Sequence, residues 1–253
     1  MRHEETVCTG HQSLEVWKSP DAVEFRVAGA VHAWFHRRRL LTGLAWDMIA
    51  AGALLGHSHP PRTVLMLGLA GGTSLRVLRH LLPDADFTAI DIDPEIVALA
   101  RKHMALDELG IDIRIADAYS WLAANRRTFD VVIDDIYLAG KTDVFRPQVL
   151  DANLLAHLAR AVAPGGVLAV NLVTGAGHRT MQSLVRRTLG GRFPVLRTVT
   201  SQDAMNEVLV AGGAVATRGR LMGYLDRFAD RADRRYWSRL AVRRILPRAL
   251  KHK

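Results

Sequence analysis

"VLMLGLAGGTSLRVLRHLLPDADFTAIDIDPEIVALARKHM", from Val64 to Met104, decides the fold. Val64–Leu67 is a continuous apolar run that stops on a glycine-containing turn, as a buried strand does. A helix over Ser74–Leu82 and a strand over Asp86–Ile92 follow. A second helix then starts at Pro94, where a proline's missing N–H costs nothing, and runs to Glu108. Strand, glycine turn, helix and strand in this order make a βα unit of a parallel sheet. Such sheets bind ligands beyond the carboxyl ends of their strands.

The alternation continues outward. Ile111–Ile115, Asp130–Asp134 and Gly166–Val173 read as strands. Ala118–Asn125, Asn153–Ala163 (closed by "APGG") and Thr180–Leu189 read as helices, and Val195–Ser201 with Asn206–Ala211 as a last strand pair. The chain is therefore expected to be α/β, with a doubly wound, mostly parallel, seven-stranded sheet. Upstream, "SLEVWKS" and "AVEFRVAGAVHAWFH" flank the turn "SPD" and predict a small β-hairpin unit. An apolar helix over Leu40–Leu55 follows, then a break at "GHSHPPR". The expected division is a small unit over 1–56, a ligand-binding domain over 57–217 and a basic helical tail over 218–253.

Charge is segregated in the 253 residues. Arg218–Lys253 holds 12 Lys/Arg and three acids, the whole of the net +9, while the rest carries 22 residues of each sign. Leu221, Leu225, Phe228 and Ala232 recur at near-helical spacing, which predicts an amphipathic tail helix resting on a second copy of the chain. Contact with nucleic acid or an anionic membrane, with Tyr236 and Trp237 stacking or inserting, is the secondary reading. On either reading, deleting Arg218–Lys253 is expected to spare ligand binding. A lone cysteine, Cys8, excludes an internal disulfide and a cysteine metal site and suits a cytoplasmic setting. No signal-type apolar region opens the sequence, and no run approaches the ~18 apolar residues of a membrane span. No carboxylate cluster accompanies His32, His36, His57 and His59, so no metal site is expected.

The candidate site lies at the strand ends. Gly68, Gly71 and Gly72 are spaced G-x-x-G-G, not G-x-G-x-x-G, so the dinucleotide fingerprint is not met. They would let the backbone pass close to a ligand. Asp91 ends the second strand, 23 residues after Gly68, where a carboxylate can accept both ribose hydroxyls, and Ile92 follows it. Asp93, before Pro94, is expected to be an N-cap. Asp117 can accept from an adenine amino group, with Ala118 and Tyr119 offering backbone donors. Asp130 reads as structural. Asp134 and Asp135 close the fourth strand facing opposite ways, so one points into the cleft, as base for an incoming amine or countercharge for a sulfonium.

These segments, with "DIRIADAYSWL" and "FDVVIDDIY", resemble the spermidine synthase family within the S-adenosylmethionine-dependent methyltransferase folds. "HQSLEVW" is similar to that family's Y-Q-S-I-E-V strand and "LAWDMIA" to its Y-H-E-M-L-A helix, so the resemblance covers about Gly10 to Val173. It implies that Gly68, Ala70, Gly71 and Gly72 line the methionine part of the cofactor, Asp91 the ribose and Asp117 the adenine. Gln12 would reach the sulfur end, and Asp135 would deprotonate the attacking amine, aided by Asp134 or Tyr137. Asp47 matches the glutamate of Y-H-E. The departures are specific. Ala70 replaces the aspartate of G-G-G-D-G-G, and Leu138 the second acid of D-S-x-D-P. Ala45 and Trp46 replace the tyrosine and histidine of Y-H-E, and His11 the tyrosine before Gln12. A polyamine needs spaced carboxylates, so these losses weaken a dedicated spermidine synthase. An uncharged Ala70 favours S-adenosylmethionine over its decarboxylated form.

The expected function is transfer from an adenosyl sulfonium to a small-molecule substrate. Aminopropyl-type transfer to an amine and ring closure of the cofactor both release methylthioadenosine; a small-molecule methyltransferase is the alternative. Trp46, Trp121 and Tyr137 are aromatics that can lie against a sulfonium. A non-catalytic nucleoside-binding homologue is the competing class. A homodimer is the expected assembly.

Overall fold

The computed structural model describes residues 1–56, 59–139 and 144–246. Its first four strands, β1 (Arg2–Cys8), β2 (Ser13–Lys18), β3 (Ala22–Val27) and β4 (Ala30–His36), form an antiparallel meander in that order. Alternation along β2 and β3 turns Leu14, Val16, Val23 and Phe25 to the buried face. The sequence-predicted hairpin unit is thus a four-stranded sheet. Its extra strand, "RHEETVC", is polar and carries no apolar period; pairing with β2 makes it an edge strand. Helix α1 spans Ala45–Ala53, shorter than the expected Leu40–Leu55. The cause is Asp47, whose buried carboxylate accepts the N–H groups of Thr42 and Gly43 and holds residues 42–44 in a turn. Burial pushes the Asp47 carboxyl up to about 6, against the pull of those bonds.

The main body runs β5 (Thr63–Leu67), α2 (Thr73–Leu81), β6 (Asp86–Asp91), α3 (Pro94–Met104), β7 (Ile111–Ile115), α4 (Ala118–Ala124) and β8 (Phe129–Asp134). A two-residue pair follows, β9 (Leu138–Ala139) with β10 (Val144–Phe145), then α5 (Ala152–Arg160), β11 (Val162–Val173), α6 (Arg179–Gly190), β12 (Val195–Thr200) and β13 (Asn206–Gly212). The last elements are α7 (Arg218–Met222), α8 (Arg231–Trp237) and β14 (Ala241–Ile245). The sheet order is β14-β12-β13-β11-β8-β5-β6-β7. β7 to β11 are parallel, and β13, β12 and β14 join antiparallel. Buried side chains of α1, α2 and α3 fill one face of the sheet, and those of α4, α5 and α6 the other. From β5 the chain winds to β6 and β7 on one side, then crosses to β8 on the other. The crevice outside β5 and β8 is therefore the switch point where such sheets take ligands.

"APGG" does not close α5; β11 already begins at Val162 and bulges before Val167. The sheet has eight strands among the described residues, not seven, because the basic tail supplies β14. Over its described residues, 218–246, the tail is not one amphipathic helix but two short helices and a strand. Asp230 caps α8 through the N–H groups of Ala232 and Asp233. Arg243 and Arg244 of β14 are exposed on an edge strand, where charge discourages pairing with another chain. Leu221, Phe228, Trp237 and Leu240 are almost fully buried, and the Trp237 indole N–H donates to the Leu221 carbonyl at 2.9 Å. Helix α1 also packs against the main sheet: a Cβ on Gly52 would lie 2.9 Å from Val208 Cγ1.

Candidate active site

A cleft of about 620 Å³ lies between the meander and the carboxyl edge of the main sheet, within the range of small-molecule sites. Strand β5 delivers Gly68 and Ala70 to it, β6 Asp91 and Ile92, β7 Asp117 and Ala118, and β8 Asp135 and Tyr137. Gln12 reaches in from the β1–β2 turn, which Thr9 holds by accepting the Gln12 N–H on its hydroxyl at 3.1 Å.

Gly71 and Gly72 do not line the cleft, which corrects their expected role. A Cβ on Gly71 would meet the Met104 sulfur at 2.5 Å and Ala33 at 2.6 Å, and one on Gly72 would meet Leu106 at 2.7 Å. Their smallness serves packing of the turn against the α3 end and the meander. Gly68 does both jobs: it lines the cleft at φ +84, and a Cβ there would lie 2.4 Å from the Asp135 carbonyl oxygen.

Asp91 accepts the N–H groups of Leu69 and Ala70 on Oδ2, at 2.8 and 2.9 Å, and that of Asp93 on Oδ1 at 3.0 Å. It braces the turn, and about one of its four acceptor positions stays free. Asp93 caps α3 as expected through Glu95 and Ile96, while its buried Oδ2 has no partner and the residue lines the cleft. Asp117 caps α4, accepting the Ser120 N–H at 2.7 Å.

Asp134 and Asp135 separate as the strand pleat dictates. Asp134 is fully buried and does not line the cleft, so it is not available as a helper base. It is paired with Arg146 Nη1 at 2.9 Å and accepts the Tyr119 hydroxyl at 3.1 Å. Arg146 also donates to the Asn171 carbonyl at 2.6 Å and lies over the Tyr137 ring at 4.5 Å. The Tyr137 hydroxyl donates to that same carbonyl at 3.0 Å and accepts the Val173 N–H at 3.2 Å. Burial raises its pKa, so Tyr137 is a neutral, hydrogen-bonded wall rather than a second base.

Asp135 lines the cleft. Burial pushes its carboxyl up to about 6, while the Asn171 amide, which donates to Oδ1 at 2.7 Å, and the Arg146 charge pull it down. Asn206 in turn donates to Asn171 Oδ1 at 3.1 Å, which fixes the amide's orientation. Arg146 and Asn171 were not singled out from sequence. A lone polar residue in the apolar strand "GGVLAVNLV" was the available signal for Asn171; "VFRPQ" gave none for Arg146. Of the aromatics, Trp46 and Tyr137 line the cleft, and Trp121 packs on the opposite core layer. Asp47 lies outside the cleft, its carboxylate turned to the loop before α1. Among the described residues no cluster of metal-ligating side chains occurs, and His57 lies outside them. No helix among them is long and apolar enough to cross a membrane.

Arg146→Met leaves the Asp134 carboxylate uncompensated and is expected to cost ~3–5 kcal/mol in urea unfolding. Adding Asp134→Asn should recover most of that; equal loss in the single and double variants would mean that charge pairing is not what Arg146 supplies.

Residues 64–166 match a methyltransferase-domain family model. A probable polyamine aminopropyl transferase of Bifidobacterium longum is 28% identical over 64% of this chain and 35% of its own length. The polyamine aminopropyltransferase of Chromobacterium violaceum is 30% identical over 58% of this chain and 54% of its own. The chain thus spans from about a third to just over half the length of these curated relatives. A probable spermidine synthase from Corynebacterium glutamicum ATCC 13032 superposes with a TM-score of 0.75 at 15% identity, covering 95% of this chain and 90% of that one, a likeness of fold. Sequence and fold agree in what the chain is similar to: polyamine aminopropyltransferases over about three-fifths of its sequence, and a probable spermidine synthase in fold, a methyltransferase-like domain behind a small antiparallel sheet.

Proposed function

We propose that the cleft binds an adenosyl sulfonium and that the protein transfers an alkyl group from it to an amine, with Asp135 as the base. The observation that carries this reading is the Asp135 carboxylate, set in the cleft wall, held by Asn171 and poised near pH 6. Asp91, through its remaining acceptor position, and the unpartnered Asp93 Oδ2 would take the ribose hydroxyls. Asp117 would face the adenine, and Gln12 the sulfur end. Gly68, Ala70 and Ala118 would keep the turns free of side-chain bulk, and Ile92 would offer the adenosyl group an apolar wall.

The step balances simply. The amine nitrogen attacks the carbon bonded to sulfur, the carbon–sulfur electrons return to sulfur as a neutral thioether, and the amine proton passes to Asp135. An alkyl ammonium has a reference pKa of about 10.4, so it needs such a base near pH 7. The names of the relatives favour an aminopropyl-type donor; the methyltransferase-domain match favours methyl transfer as the second reading. Mass spectrometry of reactions with diamines, and with cofactor alone, decides between them. Methylthioadenosine is the expected product; S-adenosylhomocysteine would move the reaction to methyl transfer.

The pH profile follows from the same carboxyl. A base must be deprotonated, so kcat is expected to rise with pH through about 6 and then level. Asn171→Ala removes a bond that lowers the Asp135 pKa, so its rising limb should move to higher pH. A limb unmoved by Asn171→Ala would detach Asp135 from the profile. The assembly is proposed as a homodimer with a small-molecule substrate, and contact of the basic tail with polyanions is the lesser proposal. Light scattering with and without heparin tests both.

A further inference from the structure

We propose that the corner between β4 and the start of α2 seats a carboxylate, so that the cleft takes the carboxylated ligand, S-adenosylmethionine, in preference to its decarboxylated form. The inference rests on the adenosyl-sulfonium reading above and names the end of the ligand that reading leaves open.

The corner is built. Thr73, the first residue of α2, accepts the Trp34 N–H on its hydroxyl and donates to the Trp34 carbonyl, both at 3.0 Å, which clamps β4 to the helix start. His32 lies two residues before Trp34, at the register shift where Ala33 pairs with Phe25 but Val31 pairs with Arg26. A bulge of this kind re-aims the extra residue's side chain, and His32 lines the cleft. Ser74 follows Thr73. It is fully buried, it lines the cleft, and its hydroxyl has no hydrogen-bond partner. His32 Nε2 is likewise buried and unpartnered. A buried donor without a partner is costly unless a ligand satisfies it.

The chemistry of the corner is that of an anion site. The amino end of α2 carries no side-chain cap, so its N–H groups and dipole face the turn. No side chain of the 68–74 turn is acidic. Of the acids next to it, Asp91 spends three of its four acceptor positions on backbone N–H groups and Asp93 spends its Oδ1 on two, its Oδ2 being kept for the ribose. Burial holds His32 neutral near pH 7, as a donor through Nε2 when the proton sits there. In the same cleft, the Gln12 Oε1 acceptor is also buried without a partner. Two free donors and one free acceptor match an α-carboxylate beside an α-ammonium. A decarboxylated ligand supplies only the ammonium and leaves Ser74 and His32 unsatisfied.

Calorimetry of the full chain with S-adenosylmethionine, decarboxylated S-adenosylmethionine and methylthioadenosine tests this. The carboxylated ligand is expected to bind about tenfold or more tighter than the decarboxylated one, on the scale of one hydrogen bond to a charged group. Ser74→Ala and His32→Leu should each remove most of that advantage while leaving methylthioadenosine affinity unchanged, which also shows that the variants fold. Ala70→Asp should reverse the preference. Equal or tighter binding of the decarboxylated ligand, or a Ser74→Ala effect equal on all three ligands, overturns the inference and leaves the adenosyl reading intact. Failure of all three ligands to bind overturns both.

Discussion

Asp135→Asn is expected to lower turnover by ~10²–10⁴-fold, the usual contribution of a positioned general base, with methylthioadenosine affinity changed by less than about threefold. The substitution keeps the shape and can still accept the Asn171 amide on Oδ1, but it cannot take a proton. A second readout separates chemistry from folding. The Asp135 carboxyl sits near 6 in the fold against a reference of 3.8. A raised carboxyl stabilises the fold below its unfolded pKa, and that contribution is lost as pH rises through 6. The asparagine variant should therefore match the wild type near pH 3.8 and melt at a higher temperature at pH 8. Lost activity with gained stability marks a group kept for reaction rather than for structure. Turnover within threefold of wild type would remove Asp135 as the base.

The second large effect is deletion of Arg218–Lys253, and here the structure reverses the sequence expectation. The segment was expected to be dispensable for ligand binding because it reads as a basic amphipathic helix resting on a second copy of the chain or on a polyanion. Its largest apolar side chains among the described residues are instead interior. Trp237 and Phe228 pack at a ring separation of 5.0 Å, and Leu221 and Leu240 are fully buried beside them. Losing a single buried aromatic costs ~3–5 kcal/mol, and a domain has only ~5–15 kcal/mol in all. The truncated chain is expected to lose cooperative unfolding and all ligand binding. Part of the basic excess is also internal wiring: Arg218 donates to the carbonyls of Ser238 and Leu240, and Arg220 to that of Gly56 at 3.2 Å. A soluble truncated protein with a sharp thermal transition and intact methylthioadenosine binding would restore the appendage reading.

The contrast between these segments shows what the sequence made legible. The parallel core was readable because strands buried on both faces are continuous apolar runs, such as "TVLML", punctuated by glycine turns and capping acids. Asp93 and Asp117 fell at strand-to-helix junctions, and both cap the helices that follow. The strand pleat left Asp134 and Asp135 as alternatives, the resemblance pointed to Asp135 and to Gln12, and both of these line the cleft. What stayed hidden depended on pairing across long distances. The polar strand β1 and the arginine-rich β14 have no apolar period of their own and form only because β2 and β12 offer edges. Gly71 and Gly72 looked like ligand-facing glycines, yet the atoms that demand their smallness belong to Met104, Ala33 and Leu106, far off in sequence. Arg146 became visible only when β8 brought Asp134 to it. The tail misled because exposed arginines dominate its composition, while the few apolar residues that decide its place are spread thinly among them.

Every role assigned to the cleft depends on an adenosyl group lying across the carboxyl edge of β5, β6 and β7. A crystal structure of the protein with methylthioadenosine tests it most directly. The ribose hydroxyls are expected within hydrogen-bond distance of Asp91 or Asp93, the adenine beside Asp117 and the sulfur facing Asp135. The nucleoside bound elsewhere, or a cleft that stays empty at saturating ligand, would contradict it.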